Sequence, residues 1–354
     1  MIDTLEIKIN KTAASRIEAT DFSNIPFGRT FSDHMFVADY ADGEWKNFEI
    51  VPYGDLPFSP AMSALHYGQA IFEGIKAFRQ QDDSIAIFRP QKNFERFNIS
   101  AERMCMPTIP EDIFMQGITE LVNLDRDWVP SQLGQSLYIR PFMFATDPVL
   151  GVHASDTYKF IILTGPAGVY YSKALRVKIE THFTRAVEGG VGYAKTAGNY
   201  ARSLLPTKKA QEEGFDQLIW TDAREHQYIE ESGTTNVMFV INDTLITPST
   251  RDTILDGVTR HTILDLAASW GMKVEERRVR VDEVVEAARN GSLKEAFGAG
   301  TAATIAHIAE ISYEGELFTL PEPSSREFSN KALKALNDIR YGLIPDEFNW
   351  NLIV

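Results

Sequence analysis

The chain has 354 residues, 44% of them hydrophobic and 24% charged, and a formal net charge of −14 at pH 7. That length exceeds one ordinary hydrophobic core and points to two domains, while the acidic balance disfavours nucleic acid and anionic membranes as partners. Cys105 is the only cysteine, which excludes an intrachain disulfide, and the seven histidines form no H-x-x-x-H or H-E-x-x-H pair, so no metal site is expected.

No apolar run approaches the ~20 residues that span a bilayer. The opening MIDTLEIKIN has no basic segment leading into an apolar run and is not arginine-rich, so neither a secretory nor a transit peptide is expected. A reducing cytoplasm fits the cysteine usage. In chain order, MFVADY (35–40) and the segment from Phe48 to Val51 read as short strands. IKAFRQ (75–80) and IAIFRP (85–90) flank a polar QDDS turn and read as a hairpin. Helices are predicted from Gln91 to Met104, where Phe94, Phe97 and Ala101 recur at helical spacing, and over 111–126. LYIRPFMFA (137–145) and YKFIILTG (158–165) read as buried strands, and 165-GPAGVYYSK-173 as a linker.

The second half begins with strand LRVKIE (175–180). A helix is predicted over 200–214, closed by Gly214. Strand candidates follow at 215–222, 226–232 and 235–241, then an Asn242-Asp243 turn into TLITPS. Helices are expected at 259–270, preceded by Asp256-Gly257 and ended by Gly271, and at 281–290, ended by Gly291. The stretch 296–311 reads as a glycine-broken strand or hairpin. Antiparallel hairpins mixed with helices argue for an α+β fold and against a doubly wound parallel sheet.

Lys195 lies in 189-GGVGYAKTAGNYA-201, among Gly189, Gly190, Gly192, Ala194, Ala197 and Gly198. A lysine amine becomes a nucleophile when its pKa of ~10.4 falls on desolvation or beside another cation. Small neighbours leave room for a flat ligand, and no adjacent carboxylate holds the amine protonated. That suits Schiff-base formation with an aldehyde such as pyridoxal phosphate; a surface lysine on a glycine-rich turn is the plainer reading of the window alone. A phosphate could sit at Gly257, Val258 and Thr259, where a helix begins, or at Gly298, Gly300 and Thr301, with Arg96 or Arg185 adding charge. Glu230 and Glu231 end a strand before Ser232-Gly233-Thr234 and offer a carboxylate for the pyridine nitrogen; strand alternation lets only one of them point inward. Phe27, Tyr67, Phe72, Tyr138 and Tyr170 could wall an apolar pocket. Arg140, inside LYIRPFMF, is a charge in an apolar strand and needs a partner.

Together these segments resemble the branched-chain amino-acid aminotransferases of the pyridoxal-phosphate fold type IV group. Seven motifs occur in order: 65-LHYGQAIFEGIKAFR-79, 88-FRPQKNFERF-97, 137-LYIRPFMF-144, 190-GVGYAKTAGNYARSL-204, 230-EESGTTNVMFV-240, 255-LDGVTRHTILDLA-267 and 298-GAGTAATI-305. The resemblance implies two α+β domains, 1–169 and 185–354, joined by a linker region at 170–184, with the cofactor in the interdomain cleft and the Schiff-base lysine on the second domain. It implies Lys195 as that lysine and as the proton carrier at the substrate α-carbon. Glu231 would face the ring nitrogen and Tyr200 the phenolic oxygen. Arg96 would bind phosphate, helped by Arg185, Val258, Thr259 and Thr301. Phe27, Tyr67, Phe72, Tyr138, Arg140, Val152, Tyr170, Thr234 and Ala302 would line the substrate side; Thr234 would also border the cofactor. The implied reaction is reversible ping-pong amino transfer from L-leucine, L-isoleucine or L-valine to 2-oxoglutarate, by a homodimer whose partner subunit helps close the pocket.

The rivals on the same fold are D-amino-acid aminotransferase and 4-amino-4-deoxychorismate lyase; a non-catalytic cofactor-binding protein is a rival of another class. The extended N-terminal segment, the F-G-x-T-F-S-D-H element and the Y-I-R-P strand favour the branched-chain reading. Vertebrate members of the family carry a C-x-x-C redox switch after the G-T-A element, where this chain reads 300-GTAATIAHI-308. Mild peroxide should therefore leave activity unchanged; a loss that thiol reverses would contradict this expectation.

Overall fold

Runs rich in Val, Ile, Phe and Tyr become strands in both halves of the chain, because such side chains pack well on a pleated surface. In the computed structural model, which describes residues 5–168, 170–171 and 173–354, these strands form two sheets, one in each of two compact units. The first unit comprises Met1–Tyr170, Ala194–Ala197 and Asn337–Val354; the second comprises Tyr171–Tyr193 and Gly198–Leu336. The sequence boundaries differ from this division. Ala194–Ala197, with Lys195, counts with the first unit and not with residues 185–354, because its backbone is bonded there: Phe72 N–H donates to Lys195 C=O at 3.0 Å and Thr196 Oγ1 to Ala70 C=O at 2.8 Å. Val169 and Ser172, at the expected junction, lie outside the described residues.

The first unit contains β1 (Lys8–Ile9), β2 (His34–Ala41), β3 (Glu44–Pro52), α1 (Ser63–Tyr67), β4 (Ala70–Phe72), β5 (Ile75–Arg79), β6 (Ile85–Phe88), α2 (Pro90–Arg103), α3 (Glu111–Leu124), β7 (Ser136–Ala145) and β8 (Tyr158–Ala167). The sheet runs β1-β3-β2-β8-β7-β5-β6, with β4 also on β7. The 75–90 hairpin forms as expected, Ala77 opposite Ile87, with Asp83 at φ 69° in its turn. Pro90 does more than end a strand: it opens α2, where its missing N–H costs nothing. Phe36, Phe97, Phe114 and Phe160, all 0% exposed, fill the core under α2 and α3.

The second unit contains β9 (Leu175–Ile179), α4 (Ala197–Ala201, from its second residue), α5 (Leu204–Glu212), β10 (Gln217–Thr221), β11 (Tyr228–Ser232), β12 (Thr235–Ile241), β13 (Thr244–Pro248), α6 (Val258–Ser269), β14 (Lys273–Arg277), β15 (Val279–Arg280), α7 (Val281–Arg289), β16 (Leu293–Gly300), β17 (Thr304–Tyr313) and β18 (Glu316–Thr319). Its sheet runs β14-β13-β12-β16-β17-β9-β10-β11-β15. The glycine-broken stretch is a hairpin of β16 and β17, Phe297 opposite His307. Asn242 and Asp243 both take positive φ, at 46° and 64°, as a tight hairpin turn between β12 and β13 requires. One predicted helix is divided: 200–214 becomes the end of α4 and the shorter α5, because Pro206 brings no N–H to a continuous ladder. Helix α8 (Phe328–Arg340) begins in the second unit and ends in the first, where β19 (Asn351–Ile353) pairs with β6. Pairing is antiparallel except at β1–β3, β9–β10, β9–β17 and β13–β14, so the α+β expectation holds.

Candidate active site

In the first unit, α2 turns Asn93, Arg96 and Ser100 toward one buried region; these positions are spaced i, i+3 and i+7, one face of a helix. Arg96 donates from Nε and Nη2 to the two carboxylate oxygens of Glu73, each at 2.8 Å, and Asn93 Nδ2 donates to Oε2 at 2.7 Å. Burial alone would push the Glu73 carboxyl up; the charges of Arg96 and Lys195 and the hydrogen bonds from Arg96 and Asn93 outweigh it and hold the group below its ordinary value. Ser100, 0% exposed, accepts the Lys195 amide N–H at 2.9 Å and donates to Arg96 C=O at 3.0 Å. The backbone of Lys195 is thus fixed on both sides, and its Nζ stands 4.8 Å from the centre of the Phe72 ring.

The same ring takes the Arg140 guanidinium, 4.7 Å from its centre. Arg140 Nη2 donates to the Tyr138 hydroxyl at 3.0 Å, and its buried Nε has no hydrogen-bond partner. Tyr138 meets the edge of Phe27 at 4.9 Å, and Phe27 meets Tyr170 at 5.0 Å. Five expected wall residues, Phe27, Phe72, Tyr138, Arg140 and Tyr170, are therefore one contiguous cluster. Gly74 makes room for it: a Cβ there would overlap the Tyr138 hydroxyl. Tyr67 and Val152 are 43% and 87% exposed.

In the second unit the register of β10 and β11 shifts. Ile219 pairs with Ser232 and Thr221 with Ile229, so Glu230 and Glu231 together stand opposite Trp220. This is a β-bulge, and it corrects the expectation that only one of the two glutamates points inward: both are buried, at 6% and 2%. Glu231 accepts Arg185 Nε at 3.0 Å and the Leu255 N–H at 2.7 Å. Arg185 spends its other nitrogens on Thr253 C=O at 2.6 Å and Gly192 C=O at 3.2 Å. Arg185, expected near phosphate, is thus engaged with Glu231 and two carbonyls. Arg96 likewise commits two of its three nitrogens to Glu73.

Asn236, opposite Glu231 in the β11–β12 hairpin, donates to Leu255 C=O at 2.8 Å. A Cβ on Gly257 would overlap Asn236 Oδ1, and one on Gly298 would overlap Thr235 Oγ1. These glycines let the start of α6 and strand β16 close on the β11–β12 hairpin, which gathers Glu231, Val258 and Thr259 into one neighbourhood. Helix α6 has no side-chain cap at Gly257, so its first N–H groups are an anion-binding end. Thr301 and Ala302 occupy the β16–β17 turn, Thr234 is exposed beside Gly233, and Tyr200 lies in α4. Sequence reading missed Glu73, Asn93, Gly74 and Ser100; the only signal for them was the helical spacing of two polar residues with Arg96.

A family model described as amino-transferase class IV matches residues 70–311. The chain is 44% identical to Branched-chain-amino-acid aminotransferase 2 of Bacillus subtilis (strain 168), over 98% of this chain and 96% of that one. It is 39% identical to the branched-chain-amino-acid aminotransferase of Mycolicibacterium smegmatis, over 96% and 94%. Among solved structures, the branched-chain aminotransferase from Thermoproteus uzoniensis with norvaline superposes with a TM-score of 0.74 at 24% identity, covering 90% of this chain and 99% of that one. The branched-chain amino acid aminotransferase from Escherichia coli gives 0.72 at 24% identity, over 90% and 98%.

Gly74→Ala should force the Tyr138 hydroxyl aside. Overpacking costs about 1–3 kcal/mol, so calorimetry should show a Tm drop of several degrees. Gly198→Ala, where a Cβ meets open space, is the control and should melt as the wild type does.

Proposed function

The chain belongs to the class IV aminotransferases and, within them, to the branched-chain-amino-acid aminotransferases, and on that footing we propose that it works with pyridoxal phosphate. When bound, that cofactor supplies an aldehyde for an amine to hold and a ring that withdraws electrons from the substrate α-carbon. The residues suit it. An uncapped twelve-residue helix start at Val258 and Thr259 matches a phosphate, with Thr301 assigned beside it. The Glu231 carboxylate, held by Arg185 and the Leu255 N–H, matches a protonated ring nitrogen. Tyr200 is assigned to the phenolic oxygen.

Lys195 carries the chemistry in this reading. It binds the cofactor at rest, is displaced by the amino acid, and then moves the proton at the α-carbon. The observation that carries the reading is the position of its amine over Phe72, the ring that Arg140 also faces. Phe27, Phe72, Tyr138 and Tyr170 offer an apolar wall to the branched chain of leucine, isoleucine or valine. Arg140, with its buried Nε and the Tyr138 hydroxyl bonded to it, meets the carboxylate of 2-oxoglutarate or glutamate.

Leu65, Tyr67, Leu150 and Val152 are large apolar side chains, 66%, 43%, 69% and 87% exposed. Large apolar groups left this exposed call for a covering surface. We assign a second copy of the chain to it, so that Tyr67 and Val152 serve the partner's substrate wall. Among the described residues no helix is long and apolar enough to cross a membrane, and we place the enzyme in the cytoplasm.

With 2-oxoglutarate as acceptor, L-leucine should be turned over and D-alanine should not; the reverse preference would overturn the reading. In single-turnover assays Arg140→Ala should slow the glutamate half-reaction about tenfold more than the leucine half-reaction, the scale of one charged hydrogen bond. Equal losses in both would remove Arg140 from carboxylate recognition.

A further inference from the structure

The bulge in β11 carries a second acid that the reaction as described leaves unused. Glu230 is 6% exposed, and its Oε2 has no hydrogen-bond partner. In a regular strand it would face away from Glu231; here both stand opposite Trp220. The groups acting on Glu230 are the Thr253 hydroxyl, Arg185, Glu231 and Asp222. Thr253 ties the two acids together, because its hydroxyl acts on Glu230 and its carbonyl accepts Arg185 Nη1 at 2.6 Å. Arg185 in turn bonds Glu231 at 3.0 Å.

Charge balance gives this arrangement a consequence. The Glu231–Arg185 pair is one anion and one cation, so it presents no net charge to a cationic ring nitrogen. We propose that Glu230 is a positioning residue acting through Arg185 and Glu231: when its proton leaves, it adds the net negative charge that the pair lacks and strengthens their hold on the protonated ring nitrogen. This rests on the assignment of Glu231 to that nitrogen. Burial pushes the Glu230 carboxyl up to about 7, with Glu231 and Asp222 adding to the rise and Thr253 and Arg185 opposing it. The added charge is present above neutrality and absent below it. At an effective dielectric near 20, an extra unit charge about 12 Å away changes such an equilibrium by about tenfold.

The test compares wild type with Glu230→Gln, which keeps the shape and removes the ionisation. The ratio of wild-type to variant kcat for L-leucine should grow from about one at pH 6 to about ten at pH 8.5, with KM unchanged. Thermal melts of the full chain give a readout independent of turnover. A carboxyl whose folded pKa is raised contributes stability that is fully present below its unfolded pKa, about 4.3, and is lost as pH rises through the folded value. Wild-type Tm should therefore fall relative to Glu230→Gln between pH 4.5 and 7 and run level above that. A kcat ratio that does not change with pH, whether one or far from one, or a Tm difference that does not change with pH, overturns the inference. Should Glu230→Gln fail to fold, Glu230→Asp carries the test: its kcat should still rise with pH at a displaced midpoint, and an undisplaced midpoint overturns the inference. A wild type that transaminates leucine with an unaltered profile in the variants removes only this inference, whereas a wild type without leucine turnover removes the reading beneath it.

Discussion

The carboxylate of Glu73 lies out of reach of water, and it is met by Arg96 through two nitrogens, by Asn93 and by the Gly74 N–H. A buried charge with its donors removed destabilises a protein by about 3–5 kcal/mol. That constraint fixes which face of α2 meets the β4–β5 connection. Once that face is fixed, Ser100 falls one turn beyond Arg96, where its hydroxyl takes the Lys195 amide. The lysine's place over Phe72 is thus a consequence of how one carboxylate is satisfied. Gly74, the next residue, leaves the space into which Tyr138 and then Arg140 settle.

The second unit solves a similar problem differently. Two adjacent acids in a regular strand would leave one outside. The bulge at Glu230 and Glu231 buries both against a single guanidinium, which is held by two carbonyls as well as by Glu231. Arrangements of this kind are stable only when some of the charge is given up, and the elevated proton affinity of Glu230 is where that happens. The glycines at 257 and 298 belong to the same design, since each admits a neighbouring side chain, Asn236 or Thr235, where a Cβ would not fit.

Much of this was legible in the sequence. Strands built on Val, Ile and Phe, helices ended by Gly214, Gly271 and Gly291, and the Asn242-Asp243 turn all follow from local chemistry, which acts over a few residues. Lys195 and Glu231 stood out through motif order. What escaped is non-local. Glu73 looks like an ordinary acid next to a short strand until Arg96, 23 residues away, is seen to bind it. Ser100 reads as a polar helix residue because its partner is 95 positions distant. The bulge breaks the two-residue alternation on which the choice between Glu230 and Glu231 depended, and a register shift is set by the neighbouring strand. The charge of Arg185 is visible in sequence, and its engagement with Glu231 is not.

The central claim is that Lys195 is the residue through which this chain holds pyridoxal phosphate and passes the substrate proton. The most direct test is the absorbance spectrum of purified wild type and Lys195→Ala after incubation with the cofactor, before and after L-leucine. The wild type should show a visible band that leucine bleaches, and Lys195→Ala should hold no cofactor that sodium borohydride fixes to the protein. A wild type with no visible band, or a Lys195→Ala protein whose band leucine still bleaches at the wild-type rate, would contradict the account.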